Sequence, residues 1–186
     1  MFNALAEAVY MTNLERNGDV VRMASYAPLI ARIGHTSWNP NLIYFNGTKV
    51  FPTVNYYVQQ QFAANSGNEY LPGMIKVKGE KTAIDTTAGT SVVRNSATGD
   101  IILKIANAGN AELSGEADLS KTGQLPKSAT LTVITGKPEL KNAPDNPQAI
   151  LPQSSVIKLQ KRWAFTVPAY SLTVVRISNA NAKKSK

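Results

Sequence analysis

The feature that most constrains this chain is the run from Asp19 to Ala27, nearly continuous apolar sequence broken by Arg22 and Ser25. An apolar run without alternation is the pattern of a short strand buried on both faces. Ahead of it, Leu5, Val9 and Met11 to Thr12 fall among Ala4, Ala6 and Ala8, strong helix formers, with Asn3 placed as a cap. The pair Asn17-Gly18 ends that helix, because both residues tolerate the left-handed backbone that a helix terminus often needs. Pro28 ends the strand by removing a ladder donor. Helix, tight turn and doubly buried strand make an αβ step of a parallel sheet, which is not the start of a self-contained fold.

The stretch that follows extends the same pattern. After a loop rich in Gly, His, Ser, Asn and Pro comes Leu42-Ile43-Tyr44-Phe45, then Asn46-Gly47, then Thr48-Lys49-Val50-Phe51. Asn-Gly between apolar runs predicts a hairpin whose two central turn residues both take positive φ. Thr53 is placed to cap a second helix with Val54, Tyr57, Val58, Gln61 and Phe62 on one face, ending at Asn65-Ser66-Gly67-Asn68.

From Leu71 onward the grammar changes to short β-rich runs. Strands are expected over Met74 to Val77, Ala83 to Thr86, Ser91 to Arg94, Ile101 to Ala106 and Ala111 to Asp118. Four more follow at Ala129 to Thr135, Ser155 to Leu159, Trp163 to Val167 and Ser171 to Ile177. Asn95 to Asp100, with Gly99, reads as a hairpin turn, and the Pro- and Asn-bearing stretch Leu140 to Pro152 reads as a loop. Short strands at this spacing favour a sandwich, since none is stable alone. The expected class is therefore mainly β: a C-terminal antiparallel, jelly-roll-like β-sandwich over 67–180, preceded over 1–66 by a helix-strand-helix unit and followed by a flexible basic tail, 181–186.

Composition narrows the function classes. At 186 residues and 43% hydrophobic content the chain builds one ordinary core, or one core plus a fragment. Twenty basic against twelve acidic residues give a net charge of +8. The Lys and Arg residues are scattered along the sequence without interleaved aromatics, so no nucleic-acid partner is expected. Absence of Cys excludes disulfides and thiolate metal sites. No apolar run approaches the roughly 20 residues needed to span a bilayer, so no membrane span is expected.

The candidate chemistry is sparse. Glycosidases need two carboxyl groups roughly 5 to 9.5 Å apart. Glu7 and Glu15 share a helix but lie about 12 Å apart along its axis, so they read as surface charges or partners of Arg16 and Arg22. Asp100 and Asp118 fall in or beside turns, where local backbone hydrogen bonds are the usual role. His35 is the only histidine, and no Asp or Glu cluster stands beside it. Neither a metal site nor another cofactor is expected. Ser37 lacks the elbow of a nucleophile, so no triad is assigned through His35. His35 and Trp38 are candidates to line a sugar-binding cleft through an aromatic stacking face; the alternative puts Trp38 on the rim of the core. Asn46-Gly47-Thr48 matches the glycosylation acceptor pattern, which the Asn-Gly turn already explains.

Resemblance goes further than composition. Asn3-Ala4-Leu5-Ala6-Glu7-Ala8, Leu14-Glu15-Arg16-Asn17, Val20 to Leu29, Trp38-Asn39-Pro40-Asn41-Leu42-Ile43 and Pro52-Thr53 through Tyr56-Tyr57-Val58-Gln59-Gln60 resemble the C-terminal part of α-L-arabinofuranosidases of glycoside hydrolase family 51. Val167 to Val175 is similar to the final strand of that family's sandwich. The likeness implies that 1–66 is the last helix-strand-helix of a (β/α)8 catalytic barrel. It implies an enzyme that releases terminal α-L-arabinofuranosyl residues, with retention, from arabinose-containing polysaccharides or oligosaccharides. The acid/base and nucleophile Glu of such enzymes lie on strands ahead of the helix near Asn3, so no catalytic residue is assigned here. The chain alone is expected to be inactive, with a missing N-terminal barrel as its partner. A sugar-contacting Gln of one branch of the family is replaced by Pro52, which leaves the loop Leu29 to Pro40 nearest the active-site face. Exposed barrel surface makes self-association an expectation. A secreted or periplasmic location is expected if the full-length protein carries a signal peptide. The alternative class is a non-catalytic carbohydrate-binding or interaction module.

Overall fold

The computed structural model describes residues 1–79 and 87–179. The expected strand Ala83 to Thr86 and the tail 181–186 lie outside the described residues. Helix α1 (Phe2–Arg16) comes first, followed by the short strands β1 (Ile30–Arg32), β2 (Ile43–Phe45) and β3 (Val50–Pro52). Helix α2 (Val54–Ala64) and strand β4 (Glu69–Tyr70) complete the N-terminal part. Then come β5 (Ile75–Val77), β6 (Ala88–Arg94), β7 (Ile101–Asn107), β8 (Leu113–Asp118), β9 (Ser128–Thr135), β10 (Gln153–Lys158), β11 (Arg162–Val167) and β12 (Ser171–Ile177).

The antiparallel sandwich is present. One sheet runs β10-β9-β12-β7-β6-β4 and the other β11-β8-β5. Alternation along the strands sorts the core into layers, because successive side chains point to opposite faces. On β7, Leu103 and Ile105 face the sheet-to-sheet interior with Val175, Ala117 and Phe165. Ile102 and Ala106 face the other way, against Leu5 and Ala8 of α1 and Val58 and Phe62 of α2. The helices thus cover the outer face of the six-stranded sheet, and helices and sandwich share one apolar cluster. Gly89 on β6 makes that seating possible: a Cβ there would lie 2.3 Å from Thr12 Oγ1 and 3.0 Å from Val9 Cα.

Helix α2 has the expected cause and end, whereas α1 stops at the expected place by other means: its N-cap is Met1 and not Asn3, and Asn17 ends it at φ −103°, outside the left-handed region. Thr53 caps α2 by accepting a hydrogen bond from Tyr56 N at 3.4 Å, and Val54, Val58 and Phe62 are buried as their spacing requires. Helix α1 starts one residue before Asn3 and stops at Asn17. The β6–β7 turn closes through Asn95 N to Asp100 O at 2.9 Å, with Gly99 at φ 74°. The 140–152 stretch is a loop, tied across its base by Asn142, which is buried and bonds both N and O of Ile150 at 2.9 Å.

Two expectations need correction. The run read as a doubly buried strand forms none: residues 21–26 carry no ladder hydrogen bonds, and Val20 and Met23 are 76% and 87% exposed. The helix-strand-helix unit is instead helix, irregular segment, small three-stranded sheet, helix. The reason is that a doubly buried strand needs a strand on each side, and the strands of this chain pair elsewhere. The hairpin at Asn46-Gly47 is present as β2–β3, but its loop spans residues 46–49 and neither central residue has positive φ. The Asn46 side chain closes it by accepting from Thr48 N at 3.0 Å and Lys49 N at 2.8 Å.

Candidate functional site

The loop joining β1 to β2 holds both sequence candidates, and its neighbours fix its shape. Leu42 N donates to Pro28 O at 3.1 Å and Ile43 N to Leu29 O at 3.0 Å, which pins its two ends together. Buried Asn41 donates from Nδ2 to Trp38 O at 2.6 Å, and its own N–H reaches Tyr44 Oη at 3.0 Å. Tyr44 in turn donates to Asn39 Oδ1 at 2.7 Å. Thr36 Oγ1 brackets Trp38, donating to its carbonyl and accepting from its N–H, both at 3.2 Å. A braced backbone therefore presents an indole that is 67% exposed, so Trp38 is neither in the core nor on its rim. His35 is exposed on the same loop, its backbone N–H bonded to Arg32 O at 3.0 Å. The structure puts the two on one loop; no cavity wall among the described ones includes either.

Beside this loop lies a polar cluster around Glu7, which is half-buried against α2 and is neither a surface charge nor a partner of Arg16 or Arg22. Glu7 on α1 accepts from Asn55 Nδ2 at 2.6 Å and from Gln59 Nε2, both on α2. Its surroundings include the Tyr26 hydroxyl, whose own pKa is raised by burial first and then by the charge of Glu7. Burial pushes the Glu7 carboxyl up to about 7, with the Asn55 hydrogen bond pulling the other way. A carboxyl there is poised between charge states near neutrality. An open cavity of about 250 Å³ adjoins this cluster, walled by Asn39, Tyr44, Thr53, Asn55 and the loop at Leu140. A second, more open hollow of about 860 Å³ lies between the C-terminal halves of α1 and α2 and the segment at Val21–Ala24.

The remaining carboxylates are engaged in structure. Glu15 is neither a surface charge nor a partner of Arg16 or Arg22: Lys104 Nζ, fully buried on β7, meets its Oε1 at 2.7 Å, and Ser91 Oγ donates to Oε2. Lys104 also donates to Asn65 O at 2.7 Å and stands 5.2 Å from the Phe62 ring centre. Arg16 and Arg22 bond the carbonyls of Thr90 and Gly18 instead. Asp118 caps a local turn through Ser120 N at 2.9 Å, as expected, whereas Asp100 makes an ion pair with Arg176 across to β12 at 2.7 Å. Among the described residues no group of three or more His, Asp and Glu gathers at metal-binding distance.

With this geometry, the comparisons with known proteins assign the class. The model of the α-L-arabinofuranosidase C-terminal domain matches residues 1–171. The chain belongs to that family. A probable α-L-arabinofuranosidase A of Aspergillus flavus is 35% identical over 180 residues, which is 94% of this chain and 26% of the relative. An extracellular exo-α-L-arabinofuranosidase of Streptomyces chartreusis is 47% identical over 70 residues, 38% of this chain and 8% of that protein. An arabinose-bound glycoside hydrolase family 51 α-L-arabinofuranosidase of known structure superimposes with a TM-score of 0.85 at 36% identity, over 94% of this chain and 27% of that one. The chain thus spans about a quarter of the length of such relatives.

Proposed function

We propose that this chain is the C-terminal part of a retaining glycoside hydrolase that releases terminal α-L-arabinofuranosyl residues from arabinose-containing polysaccharides, with both catalytic Glu residues outside it. The observation that carries this reading is the face along residues 20–30. Its backbone at 21–26 has no ladder partner among the described residues, and Val20, Met23, Leu29 and Ile30 are 76%, 87%, 56% and 62% exposed. An exposed apolar segment between α1 and β1, without a ladder partner of its own, is an element prepared for strands that another part of the protein supplies. In this reading, 1–66 closes the catalytic barrel and 67–180 is the accessory sandwich. Trp38 and His35 then stand on the active-site side, where the indole stacks on a sugar ring. The name of the Streptomyces relative supports a secreted or periplasmic setting.

The test is release of 4-nitrophenol from its α-L-arabinofuranoside. The expectation is turnover by the protein carrying the upstream portion and none by these residues alone. Turnover by the 186 residues alone would overturn the assignment. The exposed Trp38 also favours a second reading, a non-catalytic glycan-binding module. Titration of the chain alone with arabinoxylan decides that one: heat at roughly millimolar sugar supports it, and its absence removes it.

A further inference from the structure

We infer that the end of the sandwich formed by the β8–β9 and β10–β11 loops is a docking surface for an acidic polysaccharide, a polymer carrying carboxylates along its sugars. Five cations that look scattered in sequence meet there: Lys121, Lys127, Lys158, Lys161 and Arg162, all exposed. Backbone bonds bring their loops together, Leu119 N to Lys161 O at 2.7 Å and Leu159 N to Lys127 O at 3.0 Å. Strand register adds the others, with Lys158 opposite Ser128 and Arg162 opposite Asp118.

The fold leaves this charge uncompensated. The ion pairs among the described residues are Arg94–Glu69, Lys104–Glu15 and Arg176–Asp100, and none uses these five. Among the described residues Asp118 is the acid in register with Arg162, and Glu116 lies two positions along the same strand; hydrogen bonds from Ser120, and then the charges of Arg162 and Lys121, hold the Asp118 carboxyl below the usual range. Gathering five like charges against two raises their mutual repulsion and creates a local positive potential that a polyanion relieves.

The chemistry of the cluster selects among polyanions. Four of the five are lysines, mobile point charges without the rigid fork that reads a defined phosphate or base edge. Residues 119–127 and 159–161 contain no aromatic, and the adjacent Trp163 packs into the sheet-to-sheet core, so no base-stacking platform is present. Among the described residues no amphipathic helix lies at this end to enter a membrane surface. A chain of repeating carboxylates needs only an array of cations. The choice of a glycan over other polyanions rests on the reading of the chain as part of a glycoside hydrolase; the electrostatic capture itself does not.

Affinity electrophoresis of the full chain through polygalacturonate, with neutral dextran as control, tests this. The expected result is retardation by the polyuronate alone, weakening about tenfold between about 50 and about 300 mM salt. The triple substitution Lys121→Glu, Lys161→Glu, Arg162→Glu abolishes retardation without changing the melting temperature, and the neutral triple Lys121→Gln, Lys161→Gln, Arg162→Gln weakens it about tenfold. Reversing Lys49, Lys137 and Lys141, which lie away from this end, removes the same net charge and leaves retardation in place. The inference is overturned if the first triple still binds, if both reversals lose binding equally, or if duplex DNA or anionic vesicles bind more tightly than polyuronate. No turnover enters this assay, so its failure is distinct from failure of the arabinofuranosidase reading, which arabinose release reports.

Discussion

At the scale of single residues, Glu7 carries the clearest pH signature. The groups facing it are amides, Asn55 and Gln59 from α2, and the Tyr26 hydroxyl from the irregular segment, with no cation among them. Its pKa rises in the folded chain to about 7, so the folded state binds more protons than the unfolded one between about 4.5 and 7. Stability is therefore full at the acid end and declines as pH rises through that window, by about 1–2 kcal/mol after discounting a half-buried group for solvent screening. Glu7→Gln is expected to flatten that decline, as read from urea midpoints at several pH values. Trp38→Ala is expected to leave those midpoints unchanged because the indole is 67% exposed, while raising KM for arabinofuranosides in the complete protein about tenfold. The residues that organise this chain were only partly legible in its sequence. Asn55 and Gln59 sit four apart and so share a helix face, but nothing local says that Glu7 lies opposite them. Lys104 offered a signal that went unused: a lone Lys inside Ile101-Ile102-Leu103-Lys104-Ile105-Ala106 on a buried strand must find a counter-charge.

At the scale of elements, α1 is held against β6 by the absence of one side chain. Gly89→Ala places a methyl within 2.3 Å of Thr12 Oγ1 and 3.0 Å of the Val9 backbone. It is expected to cost about 1–3 kcal/mol in chemical denaturation, as overpacking does, and Thr12→Ala relieves only part because the backbone clash remains. Elements with local causes were legible: α2 from its Thr53 cap and apolar face, the β6–β7 hairpin from its turn, the sandwich strands from short β-rich runs between turn residues. The segment at 20–26 was not, because an apolar run names a buried strand only if partners exist, and partners are a property of the surroundings. The β2–β3 loop shows a smaller version of the same limit. Asn46 met its turn requirement with a side-chain acceptor, a choice that the dipeptide alone does not determine.

At the scale of the whole molecule, the apolar face along residues 20–30 predicts concentration-dependent self-association of the chain by itself, since burial of apolar surface yields roughly 25 cal/mol per Å². Light scattering is expected to show dimers or larger species that Val20→Asp with Met23→Asp disperses; a monomer at all concentrations contradicts this. The helical layer and the sandwich, which share one apolar cluster, are expected to melt in a single transition by circular dichroism. Lys104→Met leaves Glu15 without its cation and is expected to lower stability by about 3–5 kcal/mol, while the double change Lys104→Met, Glu15→Leu recovers most of the loss. That charge pair has a consequence during assembly as well. If α1 settled one helical turn out of place, Met11 would take the position of Glu15, and a dehydrated ammonium would face a thioether. Apolar contacts alone tolerate such slippage, whereas the ammonium rejects the Met11 seating by about a hundredfold or more. Lys104 works as a key that admits the helix in one position.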